Sequence, residues 1–371
     1  MAATNFVNQT TLLARLDEST RLDSSPSMYC VVGLPGVGKT ATVVHWAHRN
    51  KEHFHDGVLF ADLRGFDPAG PPAEPGEVLD GFLASLGLAG AFEGSPLEGR
   101  AAAYRTAMST RRMLVVLDNA ADAAQVRPLV PGGTSTVVVT SRAMLRGLTI
   151  REGAVVLDTV PLPVSEAVEL LSRVIGAERA GADQAVEELA RRCGYLPLAL
   201  RIAGERIASG YYTQVADLVE ELSNEADVLD VLDTDDETTA LRVVFSVSYR
   251  HLTLDQRRAF RILGLAPGVT IGSEAASALV GTSRALARKT LDGLRQANLI
   301  DQVVPDRYRM HDLLRIFAIE RAEAEEDADE RHRALQRVLV WYLGTAVNAD
   351  AVLDARHPGT PSAEGGRRCV R

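Results

Sequence analysis

Cysteine is scarce and unpaired in this sequence. Cys30, Cys193 and Cys369 stand far apart, with no spacing that suits a disulfide framework or a zinc site. A reducing cytoplasm fits that pattern. Positive charge is also in deficit. The net charge of −9, from 40 Lys and Arg against 49 Asp and Glu, argues against general affinity for nucleic acid, although a local basic face stays compatible with it. No apolar run approaches the length of a membrane span, and the opening MAATNFVNQTT lacks a basic segment followed by an apolar one. Neither membrane insertion nor secretion is expected. What is present is a globular composition, 46% hydrophobic and 24% charged, and 371 residues predict two to three domains.

The stretch VVGLPGVGKTATVVHWAHR, residues 31–49, carries the strongest pattern. Gly33-x-x-x-x-Gly38-Lys39-Thr40 has the spacing of a phosphate loop, in which backbone N–H groups close around phosphate oxygens. Lys39 would meet the β and γ phosphates. Thr40 would offer its hydroxyl to Mg²⁺, and the helix N-terminus adds partial positive charge. Pro35, Gly36, Val37 and Ala41 complete the expected nucleotide cradle. The context is right: an apolar run at 28–32 precedes the loop, and Val43, Val44, Trp46 and Ala47 make an apolar helical stripe after it. The competing reading is a glycine-rich turn that only packs.

Residues 29–160 read as strands alternating with helices, which predicts a parallel sheet covered on both faces. The strand candidates are Tyr29–Val32, Val58–Asp62, Met113–Leu117, Thr136–Thr140 and Val155–Leu157. Four prolines and three glycines in RGFDPAGPPAEPGE (64–77) bar regular structure before a helix over Glu77–Leu86. After Pro163 the patterns are helical, with Gly176, Gly194 and Gly210 at the helix ends. The acidic stretch 224–239 reads as a linker. Beyond it come helices, a hairpin over Leu299–Val303 and Tyr308–Met310, and a further helix, a plan that fits a winged helix. The expected organisation is a lead-in segment (1–27), an α/β phosphate-loop NTPase domain (28–160), a small helical lid with the acidic linker (161–235), a winged-helix domain (236–320), and a tail (321–371) that starts helical and ends in a segment of disordered composition.

Three more residues carry chemistry. Asp118 ends the strand RRMLVVLDNA, on the edge where open α/β sheets put their ligands, and a carboxylate there can hold Mg²⁺ through water; the alternative is an aspartate capping the next helix. Asn119 follows. An amide orients water but accepts a proton poorly, so hydrolysis should be slow. Arg142 closes STVVVTSR, where a guanidinium can grip a γ-phosphate with two parallel hydrogen bonds; the alternative is a solvated surface arginine. His45, His48, His53 and His55 lack carboxylate or thiolate partners at ligand spacing and read as solvated.

In this order the motifs resemble the NB-ARC class of STAND P-loop ATPases: GLPGVGKT as the phosphate loop, LVVLDNA as the Mg²⁺ strand, VVVTSR as the sensor strand, GYLPLAL as the proline motif and YRMHDLL as the Met-His-Asp motif. NFVNQTTLLARLDE looks like the segment that opens such cores, with Asn8-Gln9 where the family usually has Gly-Arg, which leaves the base contact of that segment open. The resemblance implies Pro197 over the adenine and His311 hydrogen-bonded to the β-phosphate of ADP; His311-Asp312 as an ordinary helix start is the alternative. LFADLRGFDPAGPP and SYRHLTLDQRRAFRILGLAPG look most like actinobacterial regulators of antibiotic and secondary metabolism. There the core follows a DNA-binding domain and precedes helical repeats. Neither is read here, so an output module missing, lost by truncation or supplied by a partner is expected.

The function these marks imply is a switch taking ATP, ADP and Mg²⁺, closed with ADP, opened by ATP, with a protein partner or a second copy as the ATP-state contact. Rival readings are a P-loop kinase or metabolic enzyme, a winged-helix DNA-binding regulator, and an ADP-binding scaffold without turnover. Direct DNA binding is not expected. Residues 281–320 hold seven basic side chains (Arg284, Arg288, Lys289, Arg295, Arg307, Arg309, Arg315) against five acidic ones, a weak surplus for groove binding.

Overall fold

The computed structural model describes residues 9–21, 28–68, 70–92, 94–176, 183–224, 227–233 and 240–356. The first part holds five strands: β1 (Met28–Gly33), β2 (Val58–Asp62), β3 (Leu114–Ala120), β4 (Thr136–Ser141) and β5 (Val155–Thr159). They pair in the order β2-β3-β4-β1-β5, all parallel. The central strands β1, β3 and β4 are Val-rich and buried almost throughout, as strands covered on both faces must be. Leu12, Leu13 and Leu16 of helix Thr10–Arg21 and Val43 and Trp46 of helix Lys39–Arg49 cover one face. Leu79, Phe82 and Leu83 of helix Pro75–Ser85, with Tyr104 and Met108 of helix Leu97–Met108, cover the other.

All five expected strands are present, and all but β2 run further at the carboxyl end than the pattern predicts. Ladder bonds with parallel neighbours carry them on, as in Val32↔Ser141 and Gly33↔Thr159. The helix expected at Glu77 begins at Pro75 instead: proline takes the first helical turn, where its missing N–H costs nothing.

Helices Val164–Ile175, Asp183–Arg192, Pro197–Ala208 and Val215–Glu221 follow β5. The acidic stretch is not bare linker, since it contains a helical turn, Val228–Val231, and buries Val228, Leu229, Val231 and Leu232. Its residues 225–226 and 234–239 lie outside the described residues. Helices Leu241–Arg250 and Leu254–Gly264 come next, then β6 (Ile271–Gly272), helices Ser273–Val280 and Arg284–Gln296, β7 (Asp301–Val304) and β8 (Arg307–Arg309). The predicted hairpin is β7–β8, and β6 adds a third antiparallel strand in the order β6-β8-β7. Two residues are too few to leave a period in sequence. One hydrophobic cluster runs without a break from Leu170 and Leu200 through Phe245 and Phe260 to Phe317 and Val338, so the helical segments on both sides of the acidic stretch share a core. Helices Asp312–Glu325 and Ala328–Arg356 end the described chain, and the segment HPGTPSAEGGRRCVR lies outside it. Among the described residues no helix is long and apolar enough to cross a membrane.

Candidate functional site

β1 delivers the chain at Gly33, and residues 34–38 turn it into helix Lys39–Arg49. Gly38 occupies the N-cap position with φ of 91°, a left-handed value that a side chain would strain. Lys39 is buried, and its ammonium donates to the carbonyls of Gly33 (2.8 Å) and Leu34 (3.0 Å). It therefore holds the loop's own backbone as well as offering charge. Burial, with the charge of Arg142 adding to it and Asp118 opposing, pushes its pKa down to about 7. Phosphate would restore the charged form.

Across the loop, the Asp118 carboxylate accepts hydrogen bonds from Thr40 Oγ1 (2.8 and 3.0 Å) and Thr140 Oγ1 (2.5 Å). Burial raises its pKa while both threonines oppose the shift. The helix-capping alternative falls to another residue: Asp122 caps helix Ala123–Val126 by accepting from Ala124 and Gln125. A hydroxyl and a carboxylate meeting at this distance are hard oxygen donors of the kind Mg²⁺ takes, so Thr40 and Asp118 fit the ion. A Mg²⁺ there would neutralise phosphate charge. The β3–β4 register breaks between Leu117 and Ala120, where Asn119 adopts φ of 56°. The break turns Asn119 toward the cleft, with its backbone N–H on Thr140 Oγ1 (2.9 Å).

Arg142 is not a solvated surface arginine. Its guanidinium donates to Val244 O (2.8 Å) and lies 5.6 Å from the Phe66 ring centroid, while its own carbonyl accepts from Asn298 Nδ2 (2.9 Å). Burial pushes its pKa down to about 10, so it keeps its charge at neutral pH.

These groups line one cavity of about 470 Å³. The structure brings Gly36, Val37, Gly38, Lys39, Thr40, Ala41, Asp118, Asn119, Arg142 and Pro197 to its wall. Gly33, Pro35 and His311 are not among the lining residues. Gly33 instead gives its carbonyl to Lys39, and Pro35 is buried. Sequence reasoning missed Leu162, Leu170, Arg201 and Val244. Arg201 was findable, since it stands one helical turn after Pro197 on the same face. Val244 was not, because it arrives from more than a hundred residues away.

His311 departs most from expectation. It caps helix Asp312–Glu325, its Nδ1 accepting from Leu313 N (3.3 Å), and its Nε2 faces the carbonyl of Gly194 at 2.9 Å. With Nδ1 accepting, the imidazole is neutral and Nε2–H donates. Gly194 has φ of 59°, and a Cβ there would come within 2.4 Å of His311 Cε1. The histidine meets the backbone at the start of the proline motif, not the cavity wall.

No family model matches this chain. It is 41% identical over 325 residues to the regulatory protein AfsR of Streptomyces griseus, covering 87% of this chain and 33% of that protein. Over most of its length the chain is thus similar to part of a regulatory protein. Regulatory protein AfsR of Streptomyces coelicolor is similar at 40% over 328 residues, with 87% and 32% covered. The chain thus spans about a third of the length of these curated relatives. Among solved structures, a Walker-type ATPase of Pyrococcus abyssi superposes with a TM-score of 0.55 at 13% identity, over 85% of this chain and 96% of the other. That likeness supports a P-loop ATPase fold.

Proposed function

We propose that this chain is the nucleotide-operated switch of a regulatory protein, closed with ADP and opened by exchange for ATP, with slow hydrolysis between the states. The observation that carries the reading is Arg142. It reaches from the sheet's carboxyl edge past the phosphate loop and donates to Val244 O in helix Leu241–Arg250. A third phosphate offers this guanidinium a charged, bidentate partner in place of a neutral carbonyl, so ATP weakens the hold on that helix while ADP leaves it in place. In this reading residues 28–160 bind phosphates, 161–235 cover the base through Pro197, and 236–320 form a winged-helix unit that closes over both. His311 locks the closed form through Gly194, one motif away from the nucleotide. The relatives are regulatory proteins, which supports an output in regulation; in this reading it is exerted on transcription or secondary metabolism, through a protein partner or a second copy in the ATP state.

The test is to identify the nucleotide in freshly purified protein and to follow its exchange. ADP should co-purify, and Arg142→Ala should lose the ability of ATP, but not of ADP, to change protease sensitivity near 240–250. Protein that purifies without nucleotide and takes up neither ADP nor ATP would remove the switch reading.

A further inference from the structure

Phe66 belongs to the proline-rich stretch after β2, a composition that suits a surface loop, yet it is buried. Its ring centroid lies 5.6 Å from the guanidinium carbon of Arg142 and 4.8 Å from the imidazole centroid of His251. Arg142 is the residue that donates to Val244 O, and His251 is the C-cap of the same helix, Leu241–Arg250. One ring thus meets both the guanidinium that grips this helix and the residue that ends it.

The ring is fixed from the sheet. Leu63 N donates to Asp118 O (2.8 Å) and Gly65 N to Asn119 O (2.7 Å), which ties the chain just before Phe66 to the carboxyl end of β3. Arg64, between these two bonds, takes φ of 50° and turns the chain. The far end of the stretch is clamped to the near one. Ala73 N donates to Leu63 O (2.9 Å), and the buried Gln125 gives its Nε2 to the carbonyls of both Leu63 (2.7 Å) and Ala73 (2.9 Å). The guanidinium, in contrast, rests on a neutral carbonyl and a ring face, and a long side chain can swing away from both.

We propose that Phe66 is the positioning residue that parks Arg142 on helix Leu241–Arg250 and so sets how readily a third phosphate draws it away. The proposal rests on the nucleotide reading above. The negative face of an aromatic ring attracts a guanidinium, most strongly where water is kept off, and Phe66 admits little water. That attraction lasts only while the guanidinium stays over the ring. It counts for the pose that holds Val244 O and against the pose that meets a γ-phosphate, so it tips the site toward ADP. A contact of this kind amounts to about three- to tenfold in an equilibrium.

The experiment replaces Phe66 by a trifluorinated phenylalanine, which keeps the shape of the ring while draining charge from its face, and separately by leucine (Phe66→Leu). The full chain, stripped of nucleotide, is titrated calorimetrically with ADP and with a non-hydrolysable ATP analogue, with Arg142 present and in an Arg142→Ala background. With Arg142 present, both replacements should raise affinity for the ATP analogue relative to ADP by about three- to tenfold; with Arg142→Ala, neither should move the ratio by more than about twofold. The fluorinated ring alone decides the matter should Phe66→Leu fail to fold. An unchanged ratio there, or a shift toward ADP, overturns the proposal. A shift of equal size without Arg142 makes Phe66 a packing residue for His251 and overturns its role as well. Arg142→Ala by itself separates the two readings: if it leaves the wild-type ratio as it is, Arg142 senses no third phosphate and the switch reading falls together with the proposal. If it changes the ratio while fluorination does not, only the role of Phe66 falls. Binding of neither ligand by wild type overturns both.

Discussion

Asn119 combines a left-handed backbone with a place beside Asp118, and both matter for turnover. Asn and Asp tolerate positive φ better than other side chains, so Asn119→Asp keeps the local fold while supplying a carboxylate able to accept a proton from water. ATP hydrolysis should rise by about tenfold or more in that variant, read as phosphate release at saturating ATP. An unchanged rate would mean that water activation does not limit the cycle. Gly194 poses a different question. Alanine there takes a strained φ and meets His311, so Gly194→Ala should cost roughly 1–3 kcal/mol in denaturant unfolding. His311→Ala removes the clash but not the strain. The double variant should therefore be less destabilised than the sum of the two singles by about 0.5 kcal/mol or more. Strict additivity would show that the two residues do not meet in solution.

At the scale of elements, the start of helix Asp312–Glu325 works as a latch on the end of helix Asp183–Arg192. Burial, with the charge of Arg309 adding to it, lowers the pKa of His311 below its ordinary 6.5; the Gly194 carbonyl, Asp312 and Asp301 oppose this. The folded form therefore holds fewer protons than the unfolded one in mild acid. Stability from this latch is complete above about pH 6.5 and drains away as the pH falls from there through the lower folded value. Denaturant unfolding of wild type should weaken between pH 7 and 5 more than that of His311→Gln, whose amide does not titrate. Parallel pH profiles for the two proteins would remove His311 from the account. A second tie holds the same helix Asp312–Glu325 without a titrating histidine: Arg242 pairs with Asp230 (2.8 Å), Asp233 (3.3 Å) and Glu320 (2.8 Å), which fastens the acidic stretch to the helices beyond it. Those charges read as a linker in sequence because their arginine partner lies in the next element.

For the whole molecule, the three-stranded sheet β6-β8-β7 and helix Arg284–Gln296 bear on nucleic acid. Arg284 is paired with Glu274 (2.7 Å) and Arg315 reaches the carbonyls of Gly264 and Ala266 (3.2 Å each), so part of the small basic surplus is spent inside the protein. Full-length chain should show no sequence-specific shift of duplex DNA at moderate salt with competitor present. A shift that survives both would make this unit a DNA reader rather than a clamp.

The phosphate loop, the five parallel strands, Asp118 and the hairpin were legible in the sequence because each is written within a few neighbouring residues: a glycine spacing, a run of Val and Leu, a charge at a strand's end. Local sterics and periodic burial decide such features, and they need no distant partner. The partners of Arg142 and His311 were not legible. Val244 stands 102 residues from Arg142 in the chain and Gly194 stands 117 from His311, and both offer only a backbone carbonyl, which every residue possesses. The sequence determined which chemical groups this protein carries to the phosphate edge of its sheet. Which of them face the cavity and which hold the surrounding helices was decided only by the packing that brings anonymous carbonyls within reach of named donors.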